Sequence, residues 1–526
     1  MTSKIIFIST SVLLGIFALA TLFGDNLRRL NGMSADALAG DDHVSQRKTF
    51  RNFGMSNTYD DAPPAPSPQG NTHVQAQPNA RVDARHDALS TFAIDVDTAS
   101  YTLARATLNQ GALPVASGVR VEEWVNAFRY ELPQPKDAPF SVSMEGGRSP
   151  FTAGRHVLKV SLKGREVANE DRLPAHLVFL VDTSGSMSGP DRIGLAKESL
   201  RLLVESLNAR DTVALVTYAG SVSDVLPPTP ANQRERIFAA IDSLGAGGGT
   251  AMGSGLELAY RHAVRGVSSG SVARVIVLSD GDANIGDTGA DPMLEKVRAY
   301  VREGVTLTTV GFGMGNYRDA LMEKLADSGN GQSVYIDSRD EARRVFQREV
   351  AGTLETIARD VKVQVEFDTR AVKTYRLIGY ENRAVADADF RNDEVDGGEI
   401  GAGHSVTALY ELELKPGAEG SLATVRVRGQ RPRGSGAFET AQQVTAAQVD
   451  RPLAQSSTEL RFAAAVAGAA DLLRGNGHAS GFTLEHAISL ADDATNGRPE
   501  RREFVNLMRK AAGLNRPRSV SYTQAY

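Results

Sequence analysis

The sequence predicts an α/β protein: a doubly wound, mostly parallel sheet, flanked by β-rich regions and closed by C-terminal helices. Three observations carry this. HLVFLVD, from His176 to Asp182, is a continuous apolar strand of the kind buried on both faces of a parallel sheet. From there to about residue 345, apolar strands alternate with segments whose apolar residues recur at helical spacing. Before and after that stretch the period falls to two, as in strands with one buried face.

The chain has 526 residues, room for two or three domains. Hydrophobic residues make up 41% and charged residues 23%, enough apolar chain to bury a core. The formal net charge is -5 and no long basic block occurs, so nucleic acid is not an expected partner. Cysteine is absent, which excludes disulfides, thiolate metal sites and cysteine nucleophiles.

Taken in order, residues 1–24 hold the uncharged run IIFISTSVLLGIFALATLF, Ile5 to Phe23. It reads as a signal peptide with an A-x-A site at Ala18-Leu19-Ala20, or as a membrane anchor whose 19 residues suffice to span a bilayer. Either reading puts the rest of the chain outside the cytoplasm. No cysteine follows the run, so a lipoprotein anchor is excluded. Residues 25–87 are rich in Pro, Asn, Gln and Ala and read as a disordered tether. Residues 88–173 open with a strand at Phe92, Ile94 and Val96, then a helix from Ala99 and a second at VRVEEWVNAF, then strands PFSVSMEGG and HVLKVSLKGR.

Residues 174–345 form the α/β domain. Its strands are HLVFLVD, TVALVTYAG, VARVIVLSD, GVTLTTVGFG and QSVYIDS. Its helices are RIGLAKESLRLLVESL, PANQRERIFAAIDSL, GSGLELAYRHAVRGV, DPMLEKVRAYVREG and YRDALMEKLAD. Residues 346–520 follow a helix predicted over Val345 to Ile357. They alternate as strands at VKVQVEFD, TYRLIGYE, HSVTALYELEL and LATVRVRG, and close with helices in STELRFAAAVAGAADLLRG and REFVNLMRKAAG. The alanine-rich Phe462 to Leu473 reads as core packing, because Asp471 and Arg474 interrupt it. The β-rich strands on the two sides are expected to form one β-sandwich into which the α/β domain is inserted.

In an open α/β sheet, ligands bind at the carboxyl ends of the strands near a switch in strand order. Three polar clusters fall at such places. Asp182, Ser184 and Ser186 leave the strand HLVFLVD; Asp280 leaves VARVIVLSD; Thr250 sits in the loop GAGGGTAM between two helices. Two carboxylates and three hydroxyls, without His or Cys, suit Mg²⁺ or Mn²⁺ better than zinc or copper. Hydroxyls coordinate without cancelling the ion's charge, and Mg²⁺ readily keeps waters in its shell. Such a site is suited to take a carboxylate from a partner.

DTSGSM, GGGT and LSDGDAN, in that order, resemble the metal-ion-dependent adhesion site of von Willebrand factor type A domains. The resemblance implies that Asp182, Ser184, Ser186, Thr250 and Asp280 hold the ion in a Rossmann-like domain. STFAIDVDTASY, RVEEWVNAFRY, YRLIGYENR and GEIGAGHSVTALYEL extend it to bacterial envelope proteins of the YfbK type, over roughly residues 90 to 515.

Other motifs are weaker. GAGGGT lacks the lysine of a phosphate loop and follows a helix, so no nucleotide is expected. The G-x-S-x-G at Gly266 to Gly270 lies between a helix and a strand, the reverse of a nucleophile elbow. DGDANIGDTGAD has Ile285 and Asp291 where an EF-hand needs Gly and Glu, so Asp282, Asp287 and Asp291 read as solvated or capping. No histidine lies in the site loops to activate a serine, so no catalytic residue is assigned. The expected function is a metal-ion-dependent protein-binding module of the cell envelope, for adhesion or assembly, whose protein partner presents Asp or Glu. An envelope assembly or chaperone factor is the alternative, and a metal-dependent hydrolase a lesser one.

Overall fold

A strand buried on both faces needs a neighbour on each side and helices above and below it, and the α/β body supplies both. The computed structural model describes residues 77–514 except 95–96, 137, 250–251, 269, 282–289, 314–318, 351–353, 396, 433–435 and 476–480. The leader and most of the tether therefore lie outside the described residues. Among the described residues no helix is long and apolar enough to cross a membrane.

The chain enters with β1 (Val82–Asp83), β2 (Leu89–Ala93), α1 (Ala99–Asn109), α2 (Val121–Asn126), β3 (Phe140–Arg148) and β4 (His156–Gly164). The α/β body follows: β5 (Ala175–Asp182), α3 (Leu195–Ser206), β6 (Thr212–Tyr218), β7 (Val222–Pro230), α4 (Arg234–Asp242), α5 (Met252–Val264), β8 (Val272–Ser279), α6 (Ala290–Arg302), β9 (Val305–Phe312), α7 (Asp319–Ser328), β10 (Ser333–Ile336) and α8 (Arg339–Arg343). The chain returns with β11 (Thr356–Phe367), β12 (Val372–Ile378), β13 (Ile400–Gly401), β14 (Ser405–Leu414), β15 (Ser421–Gln430) and β16 (Ala437–Thr445). It ends in α9 (Ala446–Val449), α10 (Thr458–Leu473), α11 (Leu484–Asp492) and α12 (Pro499–Leu514).

The central sheet has six strands in the order β10-β9-β8-β5-β6-β7, parallel except for β7. Period two along β5 sends Leu177, Phe179 and Val181 to one face, with Leu200, Leu203 and Ile237. Val178 and Leu180 go to the other, with Leu256, Tyr260 and Val297. After β5 the chain builds outward to β6 and β7, then returns to lay β8 against the opposite edge of β5. The switch in strand order thus falls between β5 and β8.

The flanking strands build a sandwich across the insertion. β4 pairs β14, β1 pairs β12 and β2 pairs β11, all antiparallel. One sheet runs β1-β12-β14-β4-β3; the other runs β13-β11-β15-β16, with β2 also on β11. Leu158, Val160 and Tyr410 of the first share a core with Val363, Val365 and Val425 of the second. On its outer face the first sheet offers Val157, Ile378 and Leu409 to the helices, where Trp124, Phe128, Phe462 and Phe504 gather. The alanine-rich α10 lies in that layer, buried from Phe462 to Asp471.

Several elements differ from the sequence expectation. β7 reads poorly because of Pro227, Pro228 and Pro230; as an outer strand it can lack ladder donors. β16 is largely exposed and polar, with no apolar alternation to reveal it. The helix expected over Val345 to Ile357 is instead a π-helical turn ending at Val350, and Thr356 and Ile357 begin β11. The tether read as ending at residue 87 is ordered earlier: Val82 pairs with Tyr375, and Arg81 bonds Glu411. Two residues of strand carry no periodicity, so only their partner reveals them.

Candidate metal centre

β5 delivers Asp182 at its last residue, and β8 delivers Ser279 and Asp280 beside it, at the switch point of the sheet. Asp182 is fully buried and Asp280 nearly so. The Ser184 amide donates to Asp182 Oδ1 at 2.8 Å, turning the chain sharply so that Ser184 and Ser186 stay near the strand end. Ser184 Oγ and Ser186 Oγ are 2.9 Å apart, and Ser186 Oγ donates to Asp280 Oδ1 at 3.3 Å. Four of the five residues singled out in the sequence are thus brought into one cluster. Thr250 lies outside the described residues, but its loop is pinned up to the preceding residues. Gly247 N–H donates to the Thr183 carbonyl at 2.7 Å, and Gly185 N–H to the Gly248 carbonyl at 3.1 Å. Gly248 holds φ +91°, a conformation that glycine adopts without strain.

Three contributors escaped the sequence reading. Ser279 donates to Asp182 Oδ2 at 3.0 Å, and only the parallel register of β5 and β8 shows it to be adjacent. Tyr218 pairs in register with Asp182 and sets its buried hydroxyl beside Asp182 and Ser279. Arg192 donates from Nη1 to the Ser186 carbonyl and stands 3.8 Å from Asp280 Oδ2. It belongs to the same stretch as the serines, and its charge was the available signal.

Burial raises the Asp182 carboxyl above the usual carboxylate range, opposed by donors from Ser184 and Ser279. Burial first, then the Asp182 charge, pushes the Tyr218 phenol well up, so it stays neutral. These donors fit a hard cation. Neighbouring oxygens in a Mg²⁺ octahedron with bonds of about 2.1 Å lie about 3 Å apart, close to the 2.9 Å between the serine hydroxyls and the 3.3 Å from Ser186 to Asp280. Asp182, Ser184, Ser186 and Asp280 are the residues that would hold it.

A second acidic group, Asp97, Glu123 and Glu323, is also buried and close-set. It is an ion-pair network. Arg120 bonds Glu123 and stands 3.5 Å from Glu323, while Arg383 lies 3.2 Å from Asp97 and 3.1 Å from Asp327. The Gly266 to Gly270 motif lies in the turn between α5 and β8, where Ser268 bonds Ser271. Asp282, Asp287 and the side chain of Asp291 lie outside the described residues.

The model of the von Willebrand factor type A domain matches residues 176–348, the six-stranded sheet with its helices, and the fold agrees with that class. Such domains are typically metal-dependent protein-interaction modules and commonly bind a divalent ion. A model described as von Willebrand factor matches residues 67–159, and one described as uncharacterized protein YfbK, C-terminal, matches 352–514. Uncharacterized protein YfbK of Escherichia coli (strain K12) is 36% identical over 471 residues, covering 84% of this chain and 81% of that protein. The chain belongs to the YfbK family of von Willebrand factor type A proteins. Human inter-alpha-trypsin inhibitor heavy chain H3 is 28% identical over 273 residues, 46% of this chain and 29% of its own. The solved von Willebrand factor type A structure from Catenulispora acidiphila aligns with a TM-score of 0.44 at 19% identity, covering 73% of this chain and 91% of that one.

Proposed function

We propose that the chain is a metal-ion-dependent protein-binding module of the bacterial cell envelope, exported or anchored by its N-terminal segment. Its site takes Mg²⁺, or Mn²⁺, through Asp182, Ser184, Ser186, Thr250 and Asp280, and receives an Asp or Glu carboxylate from a partner protein. The observation that carries this reading is the hydrogen-bonded run of oxygens from Ser184 through Ser186 to Asp280, set beside buried Asp182 at the switch point.

When bound, the ion supplies a positive charge toward which a carboxylate is drawn. The chain's own groups set how strongly. Asp182 and Asp280 supply two negative charges and the serines none, so a divalent ion is only just neutralised. The Gly247–Thr183 and Gly185–Gly248 bonds fix the two loops so that the oxygens are held before an ion arrives. Binding is favoured over catalysis because, among the described residues, the Ser184 and Ser186 hydroxyls bond each other and Asp280, with no histidine bonded to either as a base.

Calorimetric titration of EDTA-stripped protein with Mg²⁺ tests the site. Wild type should bind one ion, and Asp182→Ala and Asp280→Ala should each lose at least tenfold in affinity. Unchanged affinity in both variants sinks the assignment. Cross-linking in cells, comparing wild type with Ser186→Ala, tests partner capture. A stable stoichiometric complex that survives membrane extraction and falls apart in EDTA supports the assembly role over loose adhesion.

A further inference from the structure

Arg192 stands where the site loop turns into α3. Its Nη1 donates to the Ser186 carbonyl at 2.5 Å and lies 3.8 Å from Asp280 Oδ2, with 23% of the side chain exposed. It reaches this position by passing across the backbone just after β9. A Cβ on Gly313 would come within 2.2 Å of Arg192 Nε and 2.7 Å of its Cγ, so only glycine leaves the passage open. Gly313 adopts φ +70°, and the Tyr335 hydroxyl donates to its carbonyl at 2.6 Å, fixing the wall of the passage. Asp182, by contrast, is served by the Ser184 amide and the Ser279 hydroxyl, both neutral.

We propose that Arg192 is a built-in counter-cation: it holds Asp280 while the site lacks a divalent ion, and it opposes that ion's entry. The inference rests on the metal-site reading above. A buried carboxylate beside a second one is costly unless a positive charge faces it. The Arg192 guanidinium supplies that positive charge. A divalent ion seated on Asp280 meets this fixed like charge a few ångströms away, and its affinity falls below what the oxygens alone would give. A carboxylate arriving with a partner brings a negative charge that offsets Arg192. Ion and partner therefore bind with positive coupling, each raising the affinity of the other by the same factor.

The test uses the full chain and Mg²⁺ alone, followed by calorimetry. Arg192→Gln is expected to bind Mg²⁺ about tenfold more tightly than wild type, the size a nearby unit charge commands at a partly exposed site. Arg192→Lys keeps the charge and should stay within about threefold. Gly313→Ala, which displaces the arginine, should move in the direction of Arg192→Gln. Equal or weaker Mg²⁺ binding by Arg192→Gln overturns the proposal and makes Arg192 a brace for the Ser186 loop. A second arm needs no metal. In EDTA, Arg192→Gln should lower the melting temperature, and the loss should vanish in an Asp280→Asn background. An equal loss in both backgrounds overturns the pairing. A wild type that takes no Mg²⁺ at all overturns the metal-site reading and the competition with it. Mg²⁺ binding without the Arg192→Gln gain overturns only the role of Arg192.

Discussion

Gly468 lies inside α10, where alanine would ordinarily be preferred. A Cβ there would come within 2.4 Å of the Phe482 ring and 2.6 Å of the Phe151 ring, two aromatics that meet edge to face at 5.1 Å. Alanine gains about 1 kcal/mol in helix propensity. Forcing a methyl against two packed rings costs about 1–3 kcal/mol. The second effect outweighs the first, so Gly468→Ala should lower the urea midpoint; a rise would show that the rings yield. Asp182 and Asp280 follow a different logic at the same scale. Their cost to the fold is offset by neutral donors, a nearby arginine and, on the proposed function, an ion.

At the scale of elements, α8 is held to α1 by charge. Arg105 donates to Asp337 at 2.6 and 2.8 Å and to Glu341 at 2.8 Å, and Arg344 bonds Glu341 from its other side. Burial alone raises the Glu341 carboxyl; Arg344 and Arg105 reverse the sign and hold it at about 2. Its contribution is therefore fully present above the ordinary value of 4.5 and is lost as pH falls from there toward 2. Glu341→Gln should flatten that acid limb of a urea-midpoint profile, and Glu341→Ala should cost about 3 kcal/mol at pH 7 by removing a buried carboxylate shared by two arginines, with Arg105 keeping Asp337. Glu122 on α2 runs the other way. Burial, then the charges of Glu381 and Glu123, push its carboxyl up to about 7. The folded chain keeps a proton that the unfolded chain releases above 4.5, so stability falls as pH rises between 4.5 and about 7. Glu122→Gln should remove this slope; a profile as steep as wild type would place the titration elsewhere.

Among the described residues, the α/β body is an insertion nested in the β-sandwich. The family model that matches residues 352–514 covers β11 to β16 of a sandwich whose other strands are β1 to β4. The two crossings lie together, with the Leu173 amide donating to Glu355 Oε2 at 3.1 Å. Ion pairs and a small cluster of Ala99, Leu103, Met322 and Tyr335 then hold the insertion against α1. A chain cut at an engineered protease site at exposed Gly270 should consequently stay whole in native size-exclusion chromatography and separate only in denaturant. Release of a folded C-terminal half without denaturant would refute the shared sandwich.

Much of this was legible in the residues themselves. Strands buried on both faces, such as β5, β8 and β9, announce themselves as apolar runs, and α3 and α5 by helical spacing. The clusters at Asp182, Ser184, Ser186 and Asp280 are short-range patterns that survive translation into space, because parallel strands bring their carboxyl ends to one edge. β1, β7 and β16 were not legible, since an outer or two-residue strand is defined by its partner and carries little pattern of its own. The same holds for Ser279 on Asp182, Tyr218 beside it, and Arg192 threaded past Gly313. Periodicity and motif order, which are local, determined the sheet, its helices and the candidate ligands; contacts between residues far apart in sequence, which no local pattern encodes, decided the shared sandwich, the Ser279 donor on Asp182 and the charge facing Asp280.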